Sequence, residues 1–217
     1  MSTPITAEWR TPAALLALSA VPIAAGIARL LSIGTDAAIT PDNARFKAAP
    51  VPVVLHIVCA TLFCALGALQ FAPGWRRSKP NWHRIAGRAL VPLGLVAALS
   101  GVWMAQFYPP ASQAPASFDG PAVYTLRLLA GSAMALSLCL GLAAVLRRDM
   151  VRHQAWMVRA YALGLGAGTQ VLTHIPWLLF PSLQGGLARA LCMGAGWAIN
   201  LAVAECLISR QRRMRLS

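Results

Sequence analysis

The chain is poor in acid. Six Asp and Glu stand against 19 Lys and Arg, and only 12% of its 217 residues are charged. Charges this sparse cannot cover a soluble domain in which 58% of residues are hydrophobic, so a soluble globular fold is excluded. Glu205 is the one acid inside an apolar run, which excludes a carboxylate dyad for general acid–base work. No H-E-x-x-H, G-x-S-x-G or P-loop pattern occurs. The five cysteines (Cys59, Cys64, Cys139, Cys192 and Cys206) form no C-x-x-C and lie in apolar runs. They read as core packing, with no disulfide framework. The two halves show no mutual resemblance of the kind that inverted-repeat transporters carry. The net charge of +13 does not point to nucleic acid, because the arginines sit in short turns between hydrophobic runs.

What is abundant is long apolar sequence. Runs at 13–32, 51–73, 89–108, 123–146, 155–180 and 187–208 are each long enough to cross a bilayer, which takes about 20 residues. The first run is long for a signal peptide and lacks a clean cleavage site, so it reads as a retained helix. Backbone groups in lipid must be satisfied within each segment. The sequence therefore predicts an all-α integral membrane bundle of six transmembrane helices, one domain over 1–217. The turns 74–88 and 147–154 and the tail after 208 are rich in arginine, whereas 109–121 holds only Asp119 and 181–186 holds no charge. Arg45 and Lys47 are balanced by Asp36 and Asp42. The positive-inside rule then places both termini in the cytoplasm. The proline-rich segment 108–121 reads as an irregular outer loop.

Ionisable groups at membrane depth are few. Arg29, Arg127 and Arg189 lie near outer helix ends, where they can snorkel to the interface. Arg159 and Glu205 fall at similar depth near the inner side, and a buried carboxylate wants a cation. The sequence predicts that Glu205 pairs with Arg159 first, and with Arg88 or Arg152 next. Gln70, Gln170 and Asn200 are further polar side chains within the spans. Glycines at 164 and 168, and at 194 and 196, read as places where helices approach closely.

The four histidines divide into two pairs by depth. His83 and His153 lie at inner helix ends, and His56 and His174 lie several residues inside the outer boundary. Histidine pairs on facing helices are how bundles hold haem iron. His153 and His174 are 21 residues apart, about 31 Å along a straight helix. A haem at His153 would then sit at the water boundary, so haem b is expected first at His56 and His174. The competing reading of His56 and His174 is a hydrogen bond, and that of His83 and His153 is an interfacial residue beside lipid headgroups. His56 could reach Gln170, and His174 could relieve the Leu172 carbonyl that Pro176 leaves without a donor.

Four ordered stretches carry a family resemblance: "HIVCATLFCALGALQF" (56–71), "HRIAGR" (83–88), "RHQAWMVRAYAL" (152–163) and "WAINLAVAE" (197–205). The chain resembles the bacterial membrane family called domain of unknown function 2306. The resemblance implies a multi-pass bacterial membrane protein and no particular reaction. Carried over position by position, it points to His56, Gln70, His83, Arg84, Arg88, His153, Trp156, Arg159, Asn200 and Glu205. It carries His174 less securely, because "GAGTQVLTH" departs from a pattern in which many members have an arginine earlier in this region. The layout is also loosely similar to the di-haem transmembrane cytochromes b.

Three readings follow. One is a haem-binding electron carrier of the cytoplasmic membrane with a redox partner. Another is a non-redox protein that binds or transports an anionic small molecule or lipid through an inner-face cluster of Arg84, Arg88, Arg152, Arg159 and Glu205. The third is an accessory subunit in which these residues only set packing.

Overall fold

The computed structural model describes residues 5–35, 38–41, 43–109 and 118–216. Among these residues the secondary structure is helical, with no strand. The helices are α1 (Ile5–Gly34), α2 (Ala44–Ala48), α3 (Pro50–Leu69), α4 (Pro73–Ser78), α5 (Pro80–Phe107), α6 (Pro121–Leu146), α7 (Met150–Gly164), α8 (Gly166–Thr173), α9 (Ile175–Leu179) and α10 (Gly186–Leu216), with a 3₁₀ turn at Pro181–Leu183 before the last. Most of the proline-rich segment, residues 110–117, lies outside the described residues, as do Asp36 and Asp42.

Proline sets several helix starts. Pro50, Pro80 and Pro121 open α3, α5 and α6, where a missing N–H costs nothing and the fixed φ suits the first turn. Because α5 starts at Pro80, the basic segment expected as a turn at 74–88 is largely helical. His83, Arg84 and Arg88 ride on the first turns of α5. Between α6 and α7 the chain reverses in three residues. Arg148 takes φ 60°, and the Asp149 N–H returns to the Ala144 carbonyl at 2.9 Å. Asp149 then caps α7 by accepting from the Arg152 N–H.

α1, α3, α5, α6 and α10 are each long and apolar enough to cross a membrane. Large apolar side chains such as Leu31, Leu99, Leu136 and Leu191 are more than half exposed on the bundle surface, as lipid-facing positions are. The expected single fifth helix at 155–180 is the main departure. The chain there runs as α7, α8 and α9, interrupted at Leu165 and His174. Pro176 supplies no N–H, which accounts for the second break. The first falls in a glycine-rich stretch, where helix propensity is weakest.

Both interruptions are tied down by neighbours. At the first, Asn200 Nδ2 donates to the Ala162 carbonyl at 3.0 Å, while Thr169 Oγ1 donates to Asn200 Oδ1 at 2.7 Å. Near the second, Thr173 Oγ1 donates to the Cys192 carbonyl at 2.7 Å, and Gln170 Nε2 to the Met193 carbonyl at 3.2 Å. These bonds lock the end of α7 and all of α8 to α10. On its other side α8 meets α1. Pro22 cannot donate to the Leu18 carbonyl, one turn back in α1. A side chain at Gly168 would meet that oxygen, since a Cβ built there lies 2.5 Å from it. Glycine is therefore required for α8 to pack this closely against α1.

The core lies between α3, α5, α6 and α7, around Phe63, Leu138, Met134 and Tyr161. The connections α1–α3, α5–α6 and α9–α10 meet at what we term the distal end. There Arg45 Nη1 donates to the Pro109 carbonyl, and Asp119 pairs with Arg189.

Gly168→Leu forces a side chain against the Leu18 carbonyl and should cost about 1–3 kcal/mol. It is read as a lower Tm in detergent. Gly194→Ala, with only Leu126 at an ordinary 3.5 Å, should leave Tm unchanged. Equal losses in both variants would contradict this packing.

Candidate functional site

A cavity of about 750 Å³ opens in the distal half of the bundle, within the size range of small-molecule sites. Much of its wall is Gly or Ala: Ala60, Ala97 and Gly101 from α3 and α5, Gly131 from α6, and Gly164 and Ala167 from either side of the first break. Phe63, Met134 and Trp197 add apolar surface. Short side chains on three sides leave a space that a flat, apolar molecule can fill.

His56 is the histidine of this wall. Its Nδ1 lies 2.8 Å from the Ala97 carbonyl, and Ser100 Oγ lies 3.4 Å away. A carbonyl can only accept, so Nδ1 carries the proton and Nε2 keeps the lone pair. Gly101 makes the arrangement possible: a Cβ there would stand 3.2 Å from the ring. The expected partner Gln170 is engaged elsewhere, with Met193, though it lines the same cavity.

His174 stands four residues beyond Gln170 and is not among the lining residues. Its Nδ1–H donates to the Gln170 carbonyl at 2.8 Å, one turn back, and not to Leu172. Its Nε2 is buried without a hydrogen-bond partner. The proximal histidines belong to other elements. His153 Nδ1 bonds the Gly141 carbonyl of α6 at 2.8 Å, and His83 lies in the first turn of α5 with its N–H on the Lys79 carbonyl. The straight-helix spacing from His153 to His174 does not apply, because the helix breaks between them. Among the described residues no group of three or more His, Cys, Asp or Glu is placed to hold a metal ion.

The distal rim carries charge and hydroxyls. Asp119 Oδ1 accepts from Arg189 Nε at 2.5 Å, and Asp119 Oδ2 lies 2.7 Å from Arg127 Nη2. Arg189 is buried, with its guanidinium over the Trp177 ring, so it does not snorkel as its position suggested. The Arg29 and Arg45 guanidinium groups each stack on Phe46 at 4.7 Å. Tyr108 packs edge-on against Phe46 and donates to the Ala49 carbonyl at 2.6 Å. Burial holds the Tyr108 phenol above its ordinary pKa, partly offset by a backbone hydrogen bond and by Arg45. It is a neutral hydroxyl at physiological pH. Tyr124 donates to Gln106. Sequence reasoning missed this rim. Its one available signal was Asp119, the sole acid of its loop.

At the proximal end Arg159 and Glu205 form the expected pair, Nε to Oε1 at 2.5 Å and Nη2 to Oε2 at 2.9 Å. The Arg159 guanidinium also lies 4.7 Å over the Trp156 ring. Arg152 is paired with Asp149 at 3.3 Å, not with Glu205. The Gln70 amide, at the end of α3, is buried with no hydrogen-bond partner for either atom.

Glu205 is about half exposed, so a double-mutant cycle of Arg159→Ala and Glu205→Ala should give a coupling of only about 0.5–1 kcal/mol. The cycle is read from unfolding in detergent. A coupling above about 3 kcal/mol would mark a desolvated pair and contradict the exposed geometry.

No curated protein and no solved structure matches this chain. The family model described as "Predicted membrane protein (DUF2306)" matches residues 53–208, from α3 to α10. With several apolar helices of spanning length and a match over most of its residues, the chain is a multi-pass membrane protein that belongs to the DUF2306 family.

Proposed function

We propose that this protein is a haem b-binding electron carrier, with His56 as an iron ligand in the distal cavity. The observation that carries this reading is the orientation of His56. Its Nδ1–H is fixed on the Ala97 carbonyl, and the ring lines a cavity of about 750 Å³. A neutral imidazole held in one tautomer by a backbone carbonyl is the state that ligates a metal, and the carbonyl raises its basicity. The Gly and Ala walls suit a planar ring. His174, expected from the sequence as a second ligand, does not line this cavity, although its Nε2 is buried and unpartnered. His83 and His153 are the candidates for a second site. A bound haem would supply reversible one-electron transfer. The chain's own residues would hold it, exclude water and tune it through the His56–Ala97 bond.

The broken α7–α8–α9 segment supplies a sixth crossing in this reading. Both termini then face the cytoplasm of a bacterial inner membrane, and the distal end faces outward. The charge asymmetry of the turns supports this. A redox partner would meet the protein at one face. The non-redox alternative, an anion or lipid site built on Arg84, Arg88, Arg152, Arg159 and Glu205, has less support, because Arg159 and Glu205 satisfy each other.

Two experiments test these points. Protein purified from haem-supplemented cells should show the absorption bands of haem b, and His56→Ala should abolish them. Colourless wild-type protein after haem reconstitution would end the haem reading. A reporter fused after Ser217 that is active only in the cytoplasm should be active, and an inactive one would overturn the orientation.

A further inference from the structure

We propose that the distal rim of the cavity is a carboxylate receptor, with Arg127 as its cation. The molecule it takes is an amphiphile with an apolar body and at least one carboxylate. This rests on the reading that the cavity holds a ligand, and it names the chemistry of that ligand's outward end.

The charge arrangement at the rim carries the argument. Asp119 is shared between two guanidinium groups, Arg189 at 2.5 Å and Arg127 at 2.7 Å. One carboxylate between two arginines leaves the triad with a net positive charge. The two arginines are not equivalent. Arg189 is buried against Trp177, whereas Arg127 is about a third exposed and lines the cavity. The excess charge therefore faces the cavity through Arg127. A planar guanidinium suits a carboxylate, which it can grip through two parallel N–H donors.

Arg45 lines the same rim and is committed there to the Pro109 carbonyl. It is held by stacking on Phe46, whose position Arg29 and Tyr108 also fix. The rim is thus preorganised by ring contacts. Below the rim the wall turns apolar within about two helical turns, from Arg127 to Gly131 and Met134 on α6. A ligand that satisfies both regions has an acidic end at the rim and an apolar body beside His56. Haem, with two propionates, meets this description, and so does a long-chain carboxylic acid.

The test uses full-length protein in detergent and pairs each acid with its ester. Haemin is compared with haem dimethyl ester by absorption titration. A fluorescent long-chain fatty acid is compared with its methyl ester by fluorescence. Wild type should bind an acid at least ~10-fold tighter than its ester, as expected for a charge-assisted hydrogen bond. Arg127→Gln should lose most of that preference with ester affinity unchanged, and Arg127→Lys should restore part of it. Unchanged ester affinity shows that the variant is folded. A preference confined to the haem pair identifies haem as the ligand. A preference confined to the fatty acid pair sinks the haem reading and leaves the carboxylate receptor standing. Equal affinity of wild type for acid and ester in both pairs, or no binding of any probe, overturns the proposal.

Discussion

In hydrocarbon a backbone carbonyl that loses its helical donor has no water to turn to. Pro22 removes such a donor from Leu18 in α1, and at this same carbonyl α8 comes so close that only a residue without a Cβ, Gly168, fits. The fit fixes where α8 lies. Asn200, Thr173 and Gln170 fix its other side against α10. Each of these bonds goes to a backbone carbonyl at membrane depth, so the interrupted crossing is held to α10 by protein partners. With α8 placed, Gly164 and Ala167 join Gly131 and Gly101 in lining the cavity, and the space beside His56 exists.

The polar residues of the bundle then sort by what they touch. Asn200, Gln170 and Thr173 bind backbone and hold helices together. Arg159 and Glu205 neutralise each other over Trp156. His153 ties α7 to α6 through Gly141. His56 makes one backbone bond as well, but its ring also faces open volume. Gln70 differs from all of these, with both amide atoms buried and unpartnered.

Much of the fold was legible because its rules are local. Apolar run lengths located the long helices, although α5 begins at Pro80 and not near 89, since charged residues can be helical at an interface. Depth counting found the Arg159–Glu205 pair, because both residues lie on unbroken helix near the same end. The same counting failed across Leu165 and His174, where helical rise no longer measures distance. It put Arg189 at the right end but could not show its partner, because Asp119 is 70 residues away in a loop. The cavity was not legible, because a space between several helices is a property of their packing. The Ala97 carbonyl that orients His56 could not be read either, since a backbone acceptor leaves no mark in side-chain pattern.

The central claim is that the cavity beside His56 holds a ligand. The most direct measurement is a high-resolution structure of the full chain taken from native membranes into lipid nanodiscs, with no ligand added. Density for a flat, non-protein molecule within bonding distance of His56 Nε2, with its polar edge toward Arg127, is the predicted result. A cavity holding only water, or one filled by rearranged side chains, would contradict the account.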